Sequence, residues 1–234
     1  MKRLRTAIRW DATLQFRTGF YYAAILVAAI WSLLLRQLPA NKLAWLLPGA
    51  ILGNLLINTF YFIGGLLLLE KDEGTLTAQI VTPLRTRDYL AAKLVTLTLL
   101  SLLENSLIAL ITYGWAFRFL PFAIGLTLAS VIFALAGFLA VIRYDAINEY
   151  LLPSMLYGGG LTLPLIAYFG GWQHWLVYLH PLQAPLLLLQ AGWSTIAIWQ
   201  WIYALLYAAL WVAVAYILSQ RAFHHFVVTG SGVH

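Results

Sequence analysis

The stretch EKDEGTLTAQIVTPLRTRDYLAAK, Glu70 to Lys93, is the only sizeable polar interruption between long apolar runs in this chain. Leu43 to Leu69 precedes it and Leu94 to Phe117 follows. A bilayer crossing needs about 20 apolar residues, so each run reads as a membrane span. The first has residues to spare and must tilt, kink near Pro48 or protrude. Within the polar stretch Gly74 punctuates the end of the span, and Thr75 to Val81 can form a short helix carrying Leu76, Ile80 and Val81. Pro83 stops that helix. Thr86 can cap the next one, with Asp88 favourable in its first turn. The pattern describes a helix–turn–helix elbow at a membrane surface. Its short apolar helix, held out by two spans, suits insertion into a groove of another protein. An ordinary solvated loop whose Lys and Arg set topology has the same composition.

The flanking sequence extends this picture. Residues 2–17 have an amphipathic helical pattern, with Lys2, Arg5, Arg9 and Arg17 on one face and Leu4, Ala7, Ile8 and Leu14 on the other. Trp10 lies near the edge of the apolar face, and Asp11 and Gln15, four apart, lie within it. A helix in the headgroup region fits, and the two polar residues on its apolar side favour one that also docks against protein. Further spans are expected at Thr18–Leu35, Phe119–Ile142, Tyr150–Phe169 and Thr195–Ser219. Between the last two, residues 172–193 remain apolar but are punctuated by His180, Pro181, Pro185 and Gly192. That density of Pro and Gly predicts two short helices that dip into the membrane and return. The expected fold is an all-α integral membrane protein with six transmembrane helices, an N-terminal interfacial helix and a broken re-entrant hairpin before the last span. It forms one domain over 1–234, with the coupling elbow at 70–93.

Composition supports this class. Of 234 residues, 62% are hydrophobic and 9% charged, with a mean hydropathy of +0.84. Soluble domains carry about 25% charged residues, so this chain has too few to cover a water-facing surface. The net charge of +6 comes from basic residues flanking apolar runs, which points to lipid and topology rather than nucleic acid. Eleven of the fourteen fall on one side of the six-span arrangement, so both termini are expected in the cytoplasm, in a plasma (inner) membrane. The first apolar run begins near Thr18 and no small-residue cleavage site follows, unlike a cleavable signal peptide. The chain has no cysteine, and neither a phosphate-binding G-x-x-x-x-G-K-[ST] loop nor a G-x-S-x-G elbow.

The run Glu70-Lys71-Asp72-Glu73-Gly74-Thr75-Leu76, then Thr82-Pro83-Leu84-Arg85, then Tyr89-Leu90-Ala91-Ala92-Lys93, resembles the cytoplasmic signature of ABC-2 type permeases. The order E-x-x-x-GTL, TP, YL-x-AK carries the likeness. The stretches Gln15 to Tyr22 and Ile147 to Ser154 are similar to the subgroup of small permeases labelled fluoroquinolone exporters. This resemblance implies a half-transporter that pairs with a second permease copy or paralogue and binds separate ABC ATPase subunits. ATP and Mg would sit on the ATPase, with no cofactor on this chain. It also implies ATPase coupling through Glu70, Glu73, Gly74, Thr75, Leu76 and Ile80: a hinge at Gly74, groove filling by Leu76 and Ile80, and polar anchoring by Glu73 and Thr75. Trp10, Asp11 and Gln15 would belong to a second, N-terminal contact, and the hairpin would form an outward-side gate. The cargo would be a drug-like or amphipathic compound. Haem, lipid or polysaccharide permeases share the architecture. A non-transporting scaffold and an ion-coupled secondary transporter are the rivals from other classes.

Glu104 lies near the middle of the Leu94–Phe117 run, where a charge costs about 2.5–3.5 kcal/mol on insertion scales. It reads either as a substrate-facing carboxylate or proton site, or as a group hydrogen-bonded to a neighbouring helix. Asn54 and Asn58, four apart on the preceding span, are its expected partners and complete a candidate substrate pathway. Catalysis by this chain is not expected. Asp145 and Glu149 form a lone carboxylate pair, too few for a divalent cation, and no histidine belongs to a metal-binding motif.

Overall fold

The computed structural model describes residues 2–76, 85–171 and 174–229. These are helical, with no strand among them. In chain order the helices are α1 (Lys2–Arg17), α2 (Phe20–Arg36), α3 (Ala40–Leu55), α4 (Phe62–Asp72), α5 (Thr86–Tyr113), α6 (Phe119–Val141), α7 (Ile147–Leu161), α8 (Leu163–Phe169), α9 (Gln183–Gln190) and α10 (Ile198–Phe223). A π-helical turn, Leu56–Tyr61, joins α3 to α4, a 3₁₀ turn, Trp175–Leu179, precedes α9, and a second π turn, His224–Thr229, ends the described chain.

Among the described residues, four helical stretches are long and apolar enough to cross a bilayer: Asn41–Asp72, α5, α6 and Ile198–Phe226. Two bent pairs raise the number to six. In the first, Arg3–Arg17 meets α2 at 65°, with Gly19 at φ +86° in the turn. A left-handed backbone favours glycine there, and the bend lets α1 lie across the bundle while α2 runs along it. In the second, α7 meets α8 at 43°.

The span expected over Tyr150–Phe169 is thus present as a bent pair rather than as one straight helix. Pro164 has no N–H to give the Gly160 carbonyl four residues earlier, so the α-helical ladder fails there. The Gly160 carbonyl is served instead by the His180 ring, whose Nε2 lies 3.1 Å away. His180 Nδ1 accepts from the Leu182 N–H at 3.2 Å, so Nε2 carries the proton.

Asn41–Asp72 runs for 32 residues, about 48 Å at 1.5 Å per residue, against a hydrocarbon core of about 30 Å. The irregularity of this stretch is not at Pro48, inside α3, but at the π turn.

The expected hairpin is present in its described part. The chain arrives from Phe169, packed on Trp45 with ring centroids 5.4 Å apart, near the start of α3. It forms the 3₁₀ turn, reverses at His180–Leu182 and returns through α9. Gly192, just after α9, accepts from the Arg118 N–H at 2.8 Å, at the start of α6. Entry and exit therefore lie at the same end of the bundle, opposite the elbow. Leu186 to Leu189 of α9 are buried against α6 and α10. Trp172, the expected first residue of the hairpin, lies outside the described residues.

Candidate functional site

Two groups of buried polar residues lie along the face that α5 shares with α1, α3 and α4. The first sits at the root of the elbow. Lys93 Nζ donates to Glu70 Oε1 at 2.8 Å and to Asp11 Oδ1 at 2.9 Å. Tyr89 Oη donates to Glu70 Oε2 at 2.6 Å. Gln15 Nε2 donates to Asp11 Oδ2 at 2.8 Å and to Thr96 Oγ1 at 2.9 Å, and the Thr96 hydroxyl also donates to Asp11. All six side chains are buried. Buried charges are tolerated only when paired and hydrogen-bonded, and here one ammonium stands between two carboxylates. The Lys93 ammonium also lies 5.1 Å from the centre of the Tyr89 ring, and that ring contacts Phe223 at 5.3 Å. α1, α4, α5 and α10 are thus tied at one point.

Lys71, next in sequence to Glu70, faces another neighbour. Its Nζ donates to the carbonyls of Ile142 and Tyr144, both at 2.7 Å, and lies 3.0 Å from Asp145. A cation on carbonyls freed at a helix C-terminus complements the helix dipole, so α4 is fastened to the end of α6 as well. α4 itself ends in a glycine stop: Gly74 has φ +67°, its N–H reaches the Lys71 carbonyl at 3.0 Å, and Thr75 Oγ1 takes the Glu70 carbonyl at 3.1 Å. Beyond the fastened pair, Asp72, Glu73 and Gly74 are exposed.

The second group surrounds Glu104. Glu104 Oε1 accepts from Asn58 Nδ2 and, at 3.2 Å, from Asn54 Nδ2. Asn54 Nδ2 also reaches Asn105 Oδ1 at 2.9 Å, and the hydroxyls of Thr59 and Ser101 are 2.9 Å apart. Ser101, Glu104 and Asn105, spaced three and four apart, share one face of α5. The π turn widens the facing helix, so that Asn58 and Thr59 both reach that face. Glu104 is 4% exposed, and its Oε2 has no hydrogen-bond partner among the described residues. In this conformation the cluster is an interhelical bond. Glu104→Leu, which leaves two buried amides without their acceptor, should cost about 1–2 kcal/mol, and Glu104→Gln clearly less. Thermal melting in detergent reads both; a leucine variant that melts with the parent contradicts the assignment.

The sequence-predicted residues are therefore distributed as follows. Asn54, Asn58 and Glu104 meet. Asp11 and Gln15 dock α1 onto α5, while Trp10 is half exposed on the outer side. Glu70 faces inward to Lys93 and is fully buried, and Leu76 is also in the core. From these positions neither presents its side chain to a partner's groove. Glu73 and Gly74 are exposed, and Thr75 is intermediate. Ile80 lies outside the described residues.

A family model described as the fluoroquinolones export permease protein family matches residues 2–231, nearly the whole chain and every element of both clusters. The chain belongs to that family. Two relatives, each a fluoroquinolones export permease protein of Mycobacterium tuberculosis (strains H37Rv and CDC 1551), are 34% identical over 236 residues, covering all of both chains. In this member of the fluoroquinolones export permease protein family, the sequence reading missed Lys93, Tyr89 and Thr96 as site residues. Their signal was available: Lys93 is the cation at the start of a span whose neighbouring helices carry Asp11 and Glu70.

Proposed function

We propose that the chain is the membrane half of an ATP-driven exporter, an ABC-2 type permease that moves a fluoroquinolone or a similar amphipathic compound. A separate ATPase carrying ATP and Mg binds at the elbow end, which faces the cytoplasm with both termini, in the inner membrane. A second permease copy or paralogue completes the path. The observation carrying this reading is the elbow root. Glu70 and Lys71 are fastened in opposite directions, to α1 and α5 on one side and to α6 on the other, while Asp72 to Gly74 project. A lever transmits work only if its root is stiff and its tip free, and this root moves with three spans at once. Leu76 seats the elbow on the bundle, Glu73 meets the ATPase, Thr75 holds the carbonyl at the root, and Gly74 is the hinge. Ile80 fills the partner's groove. The Asn54–Asn58–Glu104 cluster borders the path and meets cargo when the helices part.

The test co-expresses the chain with an ABC ATPase that copurifies with it and reconstitutes both. Charge reversal at exposed Glu73 (Glu73→Lys) should weaken ATPase retention at least about tenfold, since a like-charge contact at an interface costs several kcal/mol. ATP-dependent fluoroquinolone uptake into inverted vesicles should fall with it. Uptake and retention at parental levels would remove the elbow from coupling, and parental uptake without any ATPase would favour the ion-coupled alternative.

A further inference from the structure

Beside the elbow root, on the flank where α6 meets α7, Arg143 follows the last turn of α6. Lys71 takes the polar groups next to it in sequence: it donates to the Ile142 and Tyr144 carbonyls and to one oxygen of Asp145, whose side chain is 90% exposed. Among the described residues no carboxylate lies within ion-pair distance of Arg143. It is exposed, and its guanidinium lies 6.0 Å from the centre of the Tyr157 ring. From this point a groove of about 390 Å³ runs up between the two helices, lined by Leu139 on α6, by Leu156, Tyr157 and Gly160 on α7, and by Phe60 of the π turn. It opens sideways: Leu156 is 75% exposed. A cation at the end of the bundle thus crowns an apolar channel that faces the hydrocarbon.

We propose that this groove binds one acidic phospholipid, its phosphate on Arg143 and an acyl chain along Leu139, Leu156 and Gly160. Basic groups between membrane helices at the cytoplasmic surface hold anionic headgroups in this way. The alternative cover, a helix of a second copy, would have to set a carboxylate against Arg143, because an unpaired charge buried in such a contact is costly. A phospholipid supplies both the anion and the chain, in the order the groove presents them. The bound lipid braces the Ile142–Asp145 link that Lys71 also holds. Under the exporter reading, acidic lipid therefore stiffens the elbow root, although the binding itself does not depend on that reading.

Native mass spectrometry of the protein released from vesicles of phosphatidylglycerol and phosphatidylcholine tests the site. The parent should retain phosphatidylglycerol selectively. Arg143→Gln should lower that retention about fivefold, the equivalent of about 1 kcal/mol for one arginine at an anionic surface. Arg143→Lys should keep most of it. Gly160→Phe should abolish it with Arg143 intact, because a side chain added at Gly160 meets no heavy atom within 4 Å and grows into open space. Arg118→Gln, at the opposite end of the bundle, should leave it unchanged. Retention unaffected by Arg143→Gln or by Gly160→Phe overturns the proposal. So does an equal loss in Arg118→Gln, which would mean that only overall charge matters. Stoichiometric displacement of the lipid by a fluoroquinolone would also overturn it, by making the groove a cargo site.

Discussion

Replacing Lys93 by methionine should lower the melting temperature of the protein in detergent by on the order of 10 °C. The substitution preserves much of the side-chain volume but removes the ammonium that stands between Asp11 and Glu70. Both carboxylates are buried, at 3% and 0% exposure, so neither can turn to water without moving its helix. Breaking a buried pair by deleting one partner costs about 3–5 kcal/mol, and for a chain of this size each kcal/mol moves the midpoint by about 2–4 °C. The damage should concentrate where the network joins separate elements. α1 is held to α5 through Asp11 and Gln15, so its release should let trypsin cut after Arg9 and Arg17, whose side chains are already exposed, before the rest of the bundle is cut. The triple variant Asp11→Asn, Glu70→Gln, Lys93→Met should recover most of the loss, because a network with no uncompensated charge is far less costly to bury. If the single variant melts with the parent, the carboxylates are not held by Lys93 as described.

The same network shows what could be read from the sequence and what could not. Asp11 and Gln15 declared themselves, because periodicity alone places them on the wrong face of an amphipathic helix. Asn54, Asn58 and Glu104 were legible for a similar reason: polar residues in apolar spans must find one another, and few candidates exist. The elbow motif was visible as a pattern, but the role of its members was not. Glu70 stood among the expected coupling residues and Tyr89 and Lys93 only in the motif, yet all three point inward. Pairing across 23 residues, and across 82 for Asp11 and Lys93, leaves no local periodicity to detect. The span over Tyr150–Phe169 was legible but its bend was not, because Leu161 to Phe169 is largely apolar whether straight or bent. Only the partner of the Gly160 carbonyl, His180, twenty residues on, makes the break affordable. Leu76 was read as a protruding apolar side chain because sequence shows hydrophobicity and not which of two surfaces receives it.

The second large effect concerns the re-entrant helix. A Cβ added at Gly125 of α6 would stand 2.7 Å from the Leu189 nitrogen, 2.8 Å from the Leu188 Cβ and 3.0 Å from the Leu188 carbonyl carbon. Two of these are backbone atoms of α9, so no rotamer change relieves the contact and the helices themselves must separate. α9 has little room to retreat, since α10 packs behind it with Ala204 and Ala208 fully buried. Small residues at this crossing are what allow backbones in a membrane to approach so closely. Gly125→Ala should therefore cost about 1–3 kcal/mol, the range for overpacking a filled core, even though alanine is the better helix former. Gly159→Ala is the matched control: a Cβ there meets nothing within 4 Å, so it should be neutral or slightly stabilising. The two alanines make the same local change to an apolar helix and differ only in what lies opposite. A melting difference between them measures how firmly the returning helix is seated. If the hairpin gates the far end of the path, as the resemblance to ABC-2 type permeases implies, loosening α9 should also raise ATP-independent leakage of a small dye from vesicles. Equal melting of the two variants would mean that α9 is not wedged between α6 and α10, and a gate at that place would lose its structural basis.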